Sequence, residues 1–145
     1  MMKLYSLYFY RNGQDMGKEN YFKGFNPGFI GNKKLRVRFP VMGERHKGNT
    51  VIVDDTSGEV IHYINYSLAL SASRKFPVYT ASNIDGSLFR QVEREDAWRK
   101  DPRLGNAQWG YELYGAKKSD FDRGHMTKRE DVQWGETDKV AIEAA

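Results

Sequence analysis

The chain has no cysteine. Disulfides, thiolate zinc sites and cysteine nucleophiles are therefore excluded. No apolar stretch approaches the ~20 residues of a bilayer-spanning helix, so no membrane partner is expected. The start, MMKLYSLYFYRNGQDMG, lacks the pattern of a signal peptide. Its apolar residues are mostly Tyr and Phe, they run out by Tyr10, and no small-residue cleavage site follows. The default location is cytoplasmic unless a leader precedes this start. Internal repeats and low-complexity tracts are missing too.

What is present describes a globular chain. Its 145 residues suffice for one domain, and roughly 70% of the unfolded surface can be buried at that size. With 39% hydrophobic, 14% aromatic and 29% charged residues, the composition is not that of a disordered segment. The net charge of +4 is a mild bias toward an anionic partner. Its distribution says more. Lys33, Lys34, Arg36, Arg38, Arg45 and Lys47 stand against Glu44 alone, whereas Thr50 to Phe89 carries more acid than base. The basic run reads either as a solvated edge strand, where lysines discourage pairing, or as a phosphate-facing surface.

Residues 1–32 read as an N-terminal arm packed by its aromatics, with a turn at Phe25-Asn26-Pro27-Gly28. Leu35 to Phe39 alternates apolar and basic residues, which is strand periodicity. Thr50 to Val53 is a short buried-strand pattern. Val60 to Leu70 is the strongest strand, with Ile64, Tyr66, Leu68 and Leu70 on one face. Ser71 to Lys75 turns the chain and Pro77 to Ile84 forms another strand. Asp85-Gly86 predicts a type I′ hairpin into Ser87–Val92. Gly105, Gly110 and Gly115 predict loop and broken helix, and Thr137 caps a last helix that begins just as the chain stops. The fold class predicted is α+β, a central antiparallel meander with peripheral helices and long loops.

Three histidines carry the candidate chemistry. His46 lies in a polar loop and reads as solvated. His62 lies in the strongest strand, on the face of Ile64 and Tyr66, and reads as a hydrogen-bonded packing residue. His125 sits in Asp122-Arg123-Gly124-His125, between charged loops. An imidazole there can take a proton from water. Arg123 can fork onto phosphate oxygens. Gly124 permits close approach, and Asp122 can pin the arginine or the turn. The plain alternative is a turn with an ordinary salt bridge.

Phe121 to Met126, followed by Asp131, resembles the signature of the DNA/RNA non-specific endonucleases, the ββα-metal nucleases related to mitochondrial endonuclease G. Further segments are similar in order: Gly24–Gly31, Tyr63–Leu70, Arg74–Gly86, the spacing of Arg94, Trp98 and Asp101, and Gln133-Trp134-Gly135. Glu130 departs from the pattern, where a small residue is usual. The resemblance implies Mg²⁺-dependent phosphodiester hydrolysis of DNA and RNA. It implies His125 as general base, Arg123 and Arg94 as phosphate-contacting arginines, and Asp122 and Gly124 as structural parts of the motif. Lys33, Lys34, Arg36 and Arg38 become phosphate-binding candidates. In the family the metal's protein ligand is an asparagine on a helix well after the motif. Its expected place is beyond Ala145, so residues 33–145 read as an incomplete endonuclease domain without its metal-bearing helix. Family members are often secreted or organellar. The remainder could come from a second chain or a homo-oligomer. The alternative is a non-catalytic nucleic-acid-binding or protein-interaction fragment derived from such a nuclease.

Overall fold

The computed structural model describes residues 24–53, 58–94, 98–115 and 120–145. Most of the predicted arm therefore lies outside the described residues. A three-stranded antiparallel sheet occupies the centre in the order β1 (Ile61–His62), β2 (Tyr66–Leu70), β3 (Pro77–Ser82). Around it lie α1 (Tyr111–Tyr114), α2 (Arg129–Val132) and α3 (Asp138–Ala144), with 3-10 turns at Lys33–Leu35, Glu44–His46 and Pro102–Ala107. The architecture is α+β. Among the described residues no helix is long and apolar enough to cross a membrane.

β2 is the middle strand, and all five of its residues are buried. The stretch from Val60 to Leu70 is thus a tight hairpin and not one strand. The Tyr63 N–H donates to the Tyr66 carbonyl at 2.9 Å, and Asn65 turns the chain at a φ of 65°. Asparagine tolerates this left-handed region better than most residues. Its amide donates to the carbonyls of Val132 at 2.9 Å and Trp134 at 2.8 Å. Those tertiary bonds override the strand propensity of the neighbours. Ile64, at the turn, is still buried in the same core as Tyr66, Leu68 and Leu70. His62 opposes Ser67, and Ile61 opposes Leu68. His62 therefore shares the face of Ser67, not of Tyr66, but its packing role holds: Nδ1 lies 2.8 Å from Ser67 Oγ. Replacing Asn65 with alanine is expected to cost about 2–3 kcal/mol in urea unfolding, two hydrogen bonds plus the left-handed penalty. Asn65→Gly should recover about 1 kcal/mol of it by removing the penalty alone.

The segment from Gly24 closes the Ser67 face. Gly24 N–H donates to Tyr63 O at 2.9 Å, Phe25 N–H donates to Ser67 Oγ at 2.8 Å, and Asn26 and Asn83 exchange two bonds. Gly24 has a φ of +63°, and a Cβ there would stand 2.2 Å from Ser67 Oγ, so only glycine fits. Tyr66, Leu68, Leu70, Leu104, Val132 and Ala144 share the core with Ile61 and Tyr63.

Two further expectations are corrected. Leu35–Phe39 forms no strand. Asn32 caps the 3-10 turn at Lys33–Leu35, and beyond it Val37 N–H donates to Pro27 O at 3.0 Å. Leu35 and Val37 are 53% and 55% exposed, so the alternating pattern has no core to face. Only Phe39 packs inward, edge-on to Phe25 and His62. Asp85-Gly86 does turn the chain, but not as type I′. The Asp85 carboxylate accepts from both the N–H and the hydroxyl of Ser87, and Gly86 is not among the positive-φ glycines. This side-chain turn redirects the following segment away from β3. Phe89 bridges instead to Trp134. Thr50 to Val53 adds to the sheet through a bridge from Thr50 to Ser71 and a bond from Val51 N–H to Leu70 O of 2.9 Å. Thr137 caps α3 as predicted, accepting from Val140 N–H at 3.3 Å.

Candidate active site

Residues 121–125 have no regular secondary structure, and Asp122, Arg123, Gly124 and His125 are all exposed. The chain on the C-terminal side of His125 is anchored. Met126 packs against the core, in a small pocket with Leu70 and Leu104. Val132, at the end of α2, is 2% exposed. The chain thus enters the core immediately after His125 and leaves the imidazole outside. A Cβ at Gly124 would meet nothing within 4 Å, and its φ is not positive. The fold itself therefore gives no reason for a glycine there. Glu130 is exposed, so its acidic side chain meets no packing conflict.

One aromatic gathers two of the motif's side chains. The Trp98 ring lies 4.8 Å from the His125 ring, tilted by 52°. The Arg123 guanidinium carbon lies 5.8 Å from the same Trp98 ring. The first is an ordinary separation for an aromatic pair, and the second is within the range where an aromatic face attracts a cation.

Arg94 follows a segment tied to the far side of the motif. Arg90 N–H donates to Gln133 O at 3.2 Å, and Gly135 N–H to Leu88 O at 3.1 Å. Arg129 Nη2 donates to the carbonyls of Val92 at 3.2 Å and Glu93 at 3.1 Å. Arg94, the next residue, is exposed. The Arg90 guanidinium also donates to Gly135 O and Glu136 O, both at 2.7 Å, and pairs with Asp138 at the start of α3. The sequence reading missed Arg90 and Arg129, because nothing local marks an arginine whose partners lie some forty residues away.

Downstream of Trp98 the chain is pinned by Asp101, which is 0% exposed. Tyr63 Oη donates to Asp101 Oδ2 at 2.7 Å. Arg103 Nη2 donates to the same oxygen at 2.9 Å. Gln108 Oε1 accepts from Asp101 N–H at 2.7 Å, and Gln108 Nε2 donates to Asp101 O. Tyr63 stacks on Tyr66 at 4.8 Å. Burial first, then the Asp101 carboxylate, pushes the Tyr63 hydroxyl far above its ordinary 10.0, and burial pushes Tyr66 up as well. Both must stay neutral in the fold. Unfolding releases their protons once pH exceeds 10, so the native state holds more protons there and loses stability as pH rises. The expected slope is about −1.4 kcal/mol per pH unit per tyrosine above pH 10. Urea titrations at pH 9 to 11 check it, and Tyr66→Phe should reduce the slope.

Lys33, Lys34, Arg36 and Arg38 are exposed. Their segment is held at Pro27 and, through Phe39, on the His62 side of the sheet, whereas the motif meets Trp98. Among the described residues no group of three or more His, Asp or Glu side chains could hold a metal ion. The motif's own Asp and His do not make a metal centre by themselves.

Comparison with known proteins agrees with this picture. The chain is 37% identical over 139 residues to an uncharacterized protein, y4fB, of Sinorhizobium fredii (strain NBRC 101917 / NGR234), a match covering 88% of this chain and 20% of that protein. The chain thus spans about one fifth the length of that relative. No solved structure matches. Residues 47–142, which hold the sheet, Trp98 and the Asp-Arg-Gly-His motif, match the description of a DNA/RNA non-specific endonuclease, and the chain belongs to that family.

Proposed function

We propose that this domain hydrolyses phosphodiester bonds of DNA and RNA without sequence preference. The observation that supports this best is the pairing of an exposed imidazole and an exposed guanidinium over one indole, within the family-matched region. In this reading His125 takes the proton from the attacking water. Arg123 contacts the scissile phosphate and offsets the charge that develops on its oxygens. Arg94 is a second phosphate contact. The open space at Gly124 lets the phosphate backbone approach the motif closely. Contacts to phosphates carry no sequence information, which accounts for the lack of preference. Lys33, Lys34, Arg36 and Arg38 extend the attraction for the backbone through counterion release. We assign residues 33–145 to an endonuclease domain of ββα-metal type, with residues 1–32 as its arm.

The family is normally metal-dependent, and Mg²⁺ is the ion this reading expects. Among the described residues no group of three or more His, Asp or Glu side chains could enclose it; magnesium usually keeps several waters and takes only one or two protein oxygens. The chemistry assigned to this chain is therefore the proton transfer and the phosphate contact. The same observation favours a second reading, a nucleic-acid-binding domain without catalysis.

The test incubates the protein with plasmid DNA and with RNA, in Mg²⁺ and in EDTA. Cleavage of both substrates in Mg²⁺ and none in EDTA is expected. Salt-sensitive binding without cleavage would establish the second reading instead. Failure to bind either nucleic acid at low salt would overturn both.

A further inference from the structure

His125 and Arg123 pose a physical problem. Both are exposed and stand on a stretch without regular structure. Ordering an exposed side chain costs free energy, up to about 2 kcal/mol for an arginine. A reaction that needs both at one phosphate gains from any group that orders them beforehand.

Trp98 is placed to be that group. It is itself half-buried, so the indole is held. Described residues on either side of it are tied to the rest of the chain. Upstream, Arg129 holds the carbonyls of Val92 and Glu93. Downstream, three residues beyond the indole, buried Asp101 is bound by Tyr63, Arg103 and Gln108. The platform is thus referenced to the core, as is the motif itself through Met126. The indole face attracts the guanidinium as a cation and packs the imidazole as a second aromatic ring.

We infer that Trp98 is a positioning residue, whose indole holds the His125 imidazole and the Arg123 guanidinium against one ring, at 4.8 and 5.8 Å, so that one phosphate can meet both. The catalytic consequence rests on the nuclease reading above; the placement of His125 does not.

The experiment combines kinetics with NMR on the full chain and its Trp98→Ala, Trp98→Leu and Trp98→Phe variants. In the unsubstituted protein the indole ring current displaces the His125 Hε1 and Hδ2 resonances. In Trp98→Ala and Trp98→Leu that ring-current displacement should be lost, and kcat should fall about 10²-fold with KM little changed. Trp98→Phe, which keeps an aromatic face, should restore most of the rate. Leucine keeps the apolar bulk, so it serves if the alanine variant does not fold. Unchanged His125 resonances in the leucine variant, or leucine and phenylalanine variants of equal rate, would overturn the inference. If the unsubstituted chain does not cleave in Mg²⁺, the nuclease reading fails while the resonances still decide the placement.

Discussion

Replacing His125 with alanine should reduce cleavage of plasmid and RNA by about 10²- to 10⁴-fold, the span general-base removal commonly produces. His125 is exposed, and the chain turns into the core only at Met126. Truncating the imidazole therefore removes no core packing, and stability should stay within about 0.5 kcal/mol. Binding should also survive, because Arg123 and the Lys33–Arg38 run supply the phosphate contacts in this reading. The expected signature is thus a fall in kcat with KM and the salt dependence of binding preserved. Arg123→Ala should differ, weakening binding and reducing the salt slope by about one. His125→Ala with the rate of the unsubstituted protein would assign the base elsewhere. A lost melting transition would show that the residue is structural.

Replacing Asp101 with alanine should have the largest effect on stability, about 3–5 kcal/mol. Asp101 is 0% exposed, and the Arg103 side chain that pairs with it is 18% exposed. Removing the carboxylate takes the anionic partner from a largely buried guanidinium and the acceptor Asp101 from the Tyr63 hydroxyl. A buried charge that loses its partner costs far more than an exposed ion pair is worth. Asp101→Asn is the informative companion. It keeps an oxygen that can accept from Tyr63 and surrenders the charge, so it should lose less. Urea midpoints of the two variants check the order. A loss below about 1 kcal/mol for Asp101→Ala would mean that Arg103 and Tyr63 find other partners. Because Asp101 also anchors the segment bearing Trp98, the asparagine variant should lower activity more than its stability loss alone explains.

The contrast between these sites shows what could be read in advance. The Asp-Arg-Gly-His motif is contiguous, so the motif itself was legible residue by residue. The strand from Val60 to Leu70 misled because its propensity is uniform. The turn at Asn65 depends on carbonyls at Val132 and Trp134, far along the chain. Asp85-Gly86 misled for the opposite reason. The turn exists, but the Asp85 carboxylate sets its geometry and the partner strand is replaced by Trp134.

By itself the sequence determined what rests on neighbours in the chain. The absence of thiol chemistry, the motif, the Thr137 cap and the glycines that break the helices near Gly105 to Gly115 belong to this class. Each depends on side-chain identity and on backbone preferences spanning a few residues. The tertiary structure alone decided that Trp98 meets His125 and Arg123, that Arg129 holds the segment before Arg94, and that Tyr63 and Arg103 close on Asp101. These groups lie far apart in sequence, and their contacts stabilise only after the core has brought them together. No local pattern encodes such a pairing, because its free energy comes from burial and desolvation shared across the whole fold.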